Sequence, residues 1–300
     1  MPGFRSVGEF AKADELGTCW VTQFRKLVAS PATLTSGLID YLYYGGSPPA
    51  NFYASAPYVS AYVEPQRGIF VPQVSPAKQF LKNLILMSGS ASATTTSNRR
   101  QKTILADYLM YYPFIDTDAV GEEQFMENTL LIPRYPYAQV VCVSQSAASA
   151  VGQFKMKYTN ENGVAGRISQ NTFTLSGLTG GGQVATLQQS GGGYHPFVCL
   201  QTGDKGVKSI ESVTFTAAGG GLMALVLVKP LLNAVVTQEC RRTTSGNLES
   251  YGAADEFISL IHKAGAPEIK DGAILGIFGQ GFAGSLASSY LVGILETVWR

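Results

Sequence analysis

Between Gln153 and Tyr158 the chain alternates, with Phe154, Met156 and Tyr158 on one side and Gln153, Lys155 and Lys157 on the other. Successive side chains of a β-strand point to opposite faces, so this pattern predicts a half-buried strand. Asn160, Glu161, Asn162 and Gly163 follow as a turn, because Asn and Gly accept the positive φ of tight hairpins. A return strand over 164–169 completes the hairpin. Similar apolar runs predict strands at 18–28, 38–44, 79–93, 103–116, 138–147, 197–200, 207–217, 222–229, 272–280 and 285–299.

Breakers divide these runs. Gly45, Gly46, Pro48 and Pro49 end the strand at 38–44. Pro57, Pro65, Pro72 and Pro76 cut the stretch 52–76 into short pieces. Central strands exclude proline, so these pieces read as edge strands or an extended arm. Residues 117–128 are acidic and read as a loop or short helix. Two helical signals stand out. One is a single turn at 7–13. The other is 253–264, with Phe257, Leu260 and Ile261 at i, i+3, i+4 spacing and Gly265 as a C-cap.

Many short strands with Gly and Pro turns at short intervals predict an all-β fold. The expected form is β-sandwich or jelly-roll-like antiparallel sheets with an extended Pro-rich arm and one or two short helices. Helix content should stay below about 15%, against a usual ~30–35%. The chain reads as one all-β unit over 1–300. An inner β-sandwich subdomain is expected at about 137–231, with 1–136 and 232–300 forming the arm and a second sheet layer.

Composition sharpens this picture. Charged residues make up 14% of the chain, against about 25% in a typical domain. Such a surface is covered by small polar groups, backbone or another protein. The formal net charge of +1 gives no electrostatic reason to expect nucleic acid or an anionic membrane as a main partner. No run approaches the ~18 consecutive apolar residues of a membrane helix. Residues 1–10 lack an apolar core for secretion, so first folding in a cytoplasm is expected.

Candidate chemistry is sparse. Cys19, Cys142, Cys199 and Cys240 form no CxxC pair and are expected to be free thiols without metal. The triglycines at 180–182, 191–193 and 219–221 lack the lysine and helix of a phosphate loop and read as turns. His195, Asp204 and a serine could be assembled into a triad, but no G-x-S-x-G elbow accompanies them. His195 reads as a loop residue and His262 as a surface one. The pairs Glu122/Glu123 and Asp255/Glu256 read as solvated faces, and the basic pairs at 99–100 and 241–242 likewise. No catalytic, cofactor or metal residue is assigned, and no enzyme is expected. Tyrosine is the unusual signal, and it fits either core packing or an interface. Tyr53, Tyr58 and Tyr62 are the candidate interface anchors, carried on an arm at 45–76 that packs on a neighbouring subunit.

Six segments carry a resemblance: 4-FRSVGEF-10, 74-VSPAKQFL-81, 158-YTNENGVAGR-167, 196-PFVCLQTGDKGVKSIESVTF-215, 222-LMALVLVKPL-231 and 265-GAPEIKDGAIL-275. They span almost the whole chain and resemble a family of tailed-bacteriophage virion structural proteins. The resemblance implies a non-enzymatic subunit of the phage head, a decoration or cement protein that binds the major capsid protein. It implies homo-oligomers as well, a trimer being the form that local symmetry axes of a capsid favour. The expected location is the virion, after assembly in the bacterial cytoplasm. A tail, baseplate or receptor-facing component with carbohydrate binding is the alternative. A major capsid protein is disfavoured because no long spine helix is predicted.

Overall fold

The structure is a computed structural model. It describes residues 6–13, 15–28, 38–90, 101–146, 152–169, 173–175, 180–185, 187–188, 194–236, 239–242, 248–250, 256–259, 266–281 and 289–300. The chain is all-β, with 54% strand and 4% helix. A short helix, α1 (Val7–Ala11), precedes β1 (Cys19–Leu27), β2 (Leu38–Asp40), β3 (Gly46–Ser47), β4 (Gln79–Ser90) and β5 (Gln101–Asp116). Next come β6 (Glu123–Phe125), β7 (Gln139–Ser144), β8 (Gly152–Asn160), β9 (Arg167–Ile168), β10 (Phe173–Leu175), β11 (Gln183–Val184), β12 (Leu187–Gln188) and β13 (Tyr194–His195). The rest are β14 (Val207–Ala217), β15 (Leu222–Val236), β16 (Glu239–Arg242), β17 (Leu248–Ser250), β18 (Glu256–Ser259), β19 (Glu268–Ile269), β20 (Leu275–Gly281) and β21 (Ser289–Trp299).

The strands form three units. A closed barrel runs β11-β2-β20-β5-β15-β7. An eight-stranded sheet runs β17-β16-β4-β21-β1-β3, with β18 and β19 also on β4. A seven-stranded sheet runs β13-β12-β10-β8-β14-β6, with β9 on β8. Side-chain parity shows how they stack. On β15, Ala224, Val226 and Val228 point into one cluster with Tyr108, Val141, Val143 and Phe278, which is the barrel interior. The alternate residues Leu225 and Leu227 join Phe154, Met156, Tyr158 and Phe215 of the seven-stranded sheet. On the other side, Leu105 and Ile277 of the barrel meet Phe24, Leu84, Leu291 and Leu295 of the eight-stranded sheet. The barrel is the middle layer, covered by a sheet on each side. This explains the unbroken apolar run at 222–228: a strand buried on both faces cannot alternate.

The hairpin forms where the alternation places it. Phe154, Met156 and Tyr158 are fully buried, and β9 pairs antiparallel through Lys157↔Ile168 and Tyr158↔Arg167. Asn160 builds the turn, its Oδ1 accepting the N–H groups of Asn162 (3.1 Å) and Val164 (3.0 Å).

Several expectations are corrected. Within 253–264, residues 256–259 are a strand, β18, paired with β4 from Glu256↔Leu86 to Ser259↔Asn83; the rest lies outside the described residues. The hydrogen-bonding edge of β4 outweighs a helical spacing carried by three side chains. The strand at 38–44 stops at Asp40, whose carboxylate accepts the Leu42 N–H (2.9 Å) and starts a 3₁₀ turn over Tyr41–Tyr43. The acidic stretch contains β6 instead of a helix. Segment 45–76 does not leave the chain as an arm. It bridges Val59 to Glu127, Ala61 to Tyr111 and Ile69 to Leu275, and it buries Tyr53, Val63, Ile69 and Val71.

Candidate functional site

The outer edge of the eight-stranded sheet is the feature best placed to meet another molecule. β1 pairs with β21 along its whole length, whereas β3 covers only Arg25 and Lys26 on the opposite side. Among the described residues no strand pairs with 19–24 on that side. Leu27 N–H donates to Gly45 O (2.9 Å) across this edge. Alternate residues of a strand direct their backbone groups the same way, so Val21 and Gln23 present N–H and C=O outward. The flanking side chains are apolar. Trp20 (44% exposed) packs edge-on against Phe70 (59% exposed), with ring centroids 6.0 Å apart. The Thr22 hydroxyl donates to Phe70 O (2.6 Å) and fixes the pair against the strand. Val21 is 53% exposed on the opposite face.

The three tyrosines expected at an interface separate. Tyr53 is fully buried in its own barrel, and its hydroxyl donates to Asp40 Oδ2. It cannot anchor a neighbour, and this corrects its assignment. Tyr58 is half-buried against the core shared with the seven-stranded sheet. Tyr62 is 44% exposed and donates its hydroxyl to Leu131 O (2.9 Å). The structure brings none of them together.

Two buried polar centres were missed. In the first, Asp40 is wholly buried and accepts the Tyr108 hydroxyl (2.7 Å) as well as Tyr53. Burial pushes its carboxyl up to about 6, against the opposing pull of those hydroxyls and of Lys26. Lys26 lies on the inward parity of β1 beside Phe24, and its Nζ donates to the carbonyls of Pro48 (2.9 Å), Leu42 (3.4 Å) and Pro49 (3.4 Å). Burial brings its ammonium down to about 8. In the second centre, Arg134 grips the buried Asp107 carboxylate with two hydrogen bonds of 2.9 and 2.7 Å, while Ile274 N–H donates to the same group (3.0 Å). The signal for the first was a lone aspartate inside the apolar run 38-LIDYLYY-44.

Asp204 is engaged by groups other than a histidine or serine. Arg167 donates to both its oxygens (2.9 and 3.1 Å), and Tyr158 Oη and Asn160 Nδ2 donate as well. The Arg167 hydrogen bonds, foremost, hold its carboxyl down to about 2. An open groove of about 370 Å³ runs beside it between Phe197 and Lys205. Cys199 on its wall has its thiol pushed up by burial, which disfavours a thiolate. Cys19, Cys142 and Cys199 form no disulfide, and the Cys19 thiol donates to Glu296 Oε1 (3.3 Å). His195 lies on β13, while His262 lies outside the described residues. Among the described residues no group of three His, Cys, Asp or Glu could hold a metal ion, and no helix is long and apolar enough to cross a membrane. No family model, curated protein or solved structure matches the chain.

Proposed function

We propose that this chain is a non-enzymatic structural subunit of a tailed-phage particle, a decoration or cement protein that binds the major capsid protein of the head. The observation that carries the reading is the edge at 20–24, which no strand covers on its outer side among the described residues, flanked by Trp20, Val21 and Phe70. An exposed edge is a template for another chain, and proteins that stay alone blunt it with charge, proline or a covering loop. Here it carries exposed apolar residues on a charge-poor molecule. Aromatic groups of this kind contribute much of the energy of protein interfaces. Burying them on the assembled shell shifts the equilibrium toward that shell. The particle is proposed from the sequence resemblance and the contact from the edge.

The test is co-sedimentation of purified protein with isolated heads and isolated tails of the phage that encodes it. Saturable binding to heads, weakened at least tenfold by Trp20→Ala with Val21→Lys, is the expected result. Binding to tails alone moves the subunit to the tail or baseplate. Binding to neither overturns the assignment.

A further inference from the structure

We propose that the folded protein carries an intramolecular amide bond between Lys26 Nζ and the side-chain carbonyl carbon of Asn51, with Asp40 as the proton-transfer group. Lys26 Nζ and the backbone N–H of Asn51 donate to one and the same oxygen, Leu42 O, at 3.4 and 3.0 Å. The two nitrogens are therefore no further apart than those two bonds end to end, and the carbonyl carbon of Asn51 is three bonds from its own nitrogen. Bond formation requires a side-chain rotation that closes this gap. Nζ also donates to Pro48 O and Pro49 O, which lie three and two residues before Asn51 in the chain.

Asn51 is 7% exposed, and its Nδ2 has no hydrogen-bond acceptor. Buried amide nitrogens are rarely left so, and each calls for an explanation. Its Oδ1 accepts the Tyr53 N–H (3.4 Å), which polarises the carbonyl in the sense needed for attack. The free Nδ2 is then the leaving group. Asp40 is held against the other side of Leu42 by the Leu42 N–H, and its charge and that of Lys26 influence each other. Burial lowers the Lys26 ammonium to about 8 and raises the Asp40 carboxyl to about 6, so near neutral pH neutral amine is populated and the Asp40 carboxylate can take up a proton and return it. A cavity of about 10 Å³ beside Lys26, walled by Phe24, Ile69, Ile277 and Leu291, is apolar and keeps competing water away.

The step balances without an added reagent. The Nζ lone pair adds to the Asn51 carbonyl carbon, and the oxyanion is steadied by the Tyr53 N–H. The new C–N bond forms, Nζ gives a proton to the Asp40 carboxylate, and the Asp40 acid gives a proton to Nδ2. The bond to Nδ2 breaks and ammonia leaves. The product ties β1 to the loop that follows β3, a covalent staple suited to a protein under mechanical load.

Denaturing mass spectrometry of the full-length protein tests this. The wild type should be lighter than its encoded sequence by one molecule of ammonia. Its digest should contain a branched peptide joining the Lys26 and Asn51 segments. Lys26→Arg should return to the encoded mass, since a guanidinium does not acylate, and Asn51→Asp should be lighter by one molecule of water. Wild-type protein at its encoded mass after prolonged incubation would overturn the proposal. So would loss of ammonia that persists in Lys26→Arg, which marks a succinimide at Asn51. The branched peptide is sought in wild-type protein, so the test does not depend on any variant folding.

Discussion

Asp40 follows the leucine–isoleucine pair of β2 and opens a tyrosine turn, and its complete burial disfavours the charged carboxylate more than its hydrogen bonds and Lys26 favour it. Its carboxyl rises from 3.8 to about 6 on folding, mainly through burial. The native state thus binds the proton more tightly than the unfolded chain. The resulting stability is fully present below the ordinary value and is lost as pH rises through about 6, a change of about 3 kcal/mol. Asp40→Asn keeps one acceptor oxygen and cannot titrate. The stability gap between the two proteins, read by urea unfolding across this window, should therefore move in the variant's favour as pH rises. The slope with pH is the readout, not the offset. A second prediction rests on Asp107, which is wholly buried under Arg134. Arg134→Ala leaves that charge with the Ile274 N–H alone among these contacts and should cost about 3–5 kcal/mol. A loss under 1 kcal/mol in chemical denaturation would show that solvent or another group reaches Asp107.

Strands pack by what the neighbouring strand leaves room for. Gly293 of β21 lies opposite Phe24 of β1, and a Cβ there would come within 2.1 Å of the Phe24 ring. Gly276 of β20 makes the same allowance for Tyr108, at 2.5 Å. Gly293→Ala should destabilise by about 1–3 kcal/mol through overpacking. Adding Phe24→Leu should cost less than the sum of the two single changes, because the residues share one space. Thermal unfolding of the four proteins measures this; strict additivity would refute the contact. Period-two patterns such as Phe154, Met156 and Tyr158 were legible in the sequence because one face of β8 is buried and one is not. Runs such as 222–228 were legible as strands, but not as barrel staves, because burial on both faces erases the information about direction. β18 was misread because its pairing is set by the edge of β4, more than 160 residues away. Tyrosine in the sequence fits either core packing or an interface, and Tyr41, Tyr53, Tyr108 and Tyr112 take the first role and fill the interior. Only the partners of their hydroxyls, Gln101, Asp40 and Asn128, explain how they can.

At the scale of the molecule the question is which part could join it to a neighbour. Segment 45–76 was the expected arm, but it supplies Tyr53, Val63, Ile69 and Val71 to the cores and the Pro48 and Pro49 carbonyls to Lys26. Deleting it should give an insoluble or unfolded chain, a failure of folding and not of assembly alone. The free edge of β1 makes a separable prediction. Val21 is half-exposed, and its outward backbone groups have no partner strand among the described residues, so a charge there perturbs nothing already formed. Val21→Lys should keep its unfolding free energy within about 0.5 kcal/mol of wild type, as surface substitutions do. A lysine on an edge is also a known barrier to edge pairing. In sedimentation velocity the wild type should populate oligomers that grow with concentration, while Val21→Lys should remain monomeric over the same range. If the variant associates as the wild type does, with its fold intact by circular dichroism, this edge is not the assembly surface.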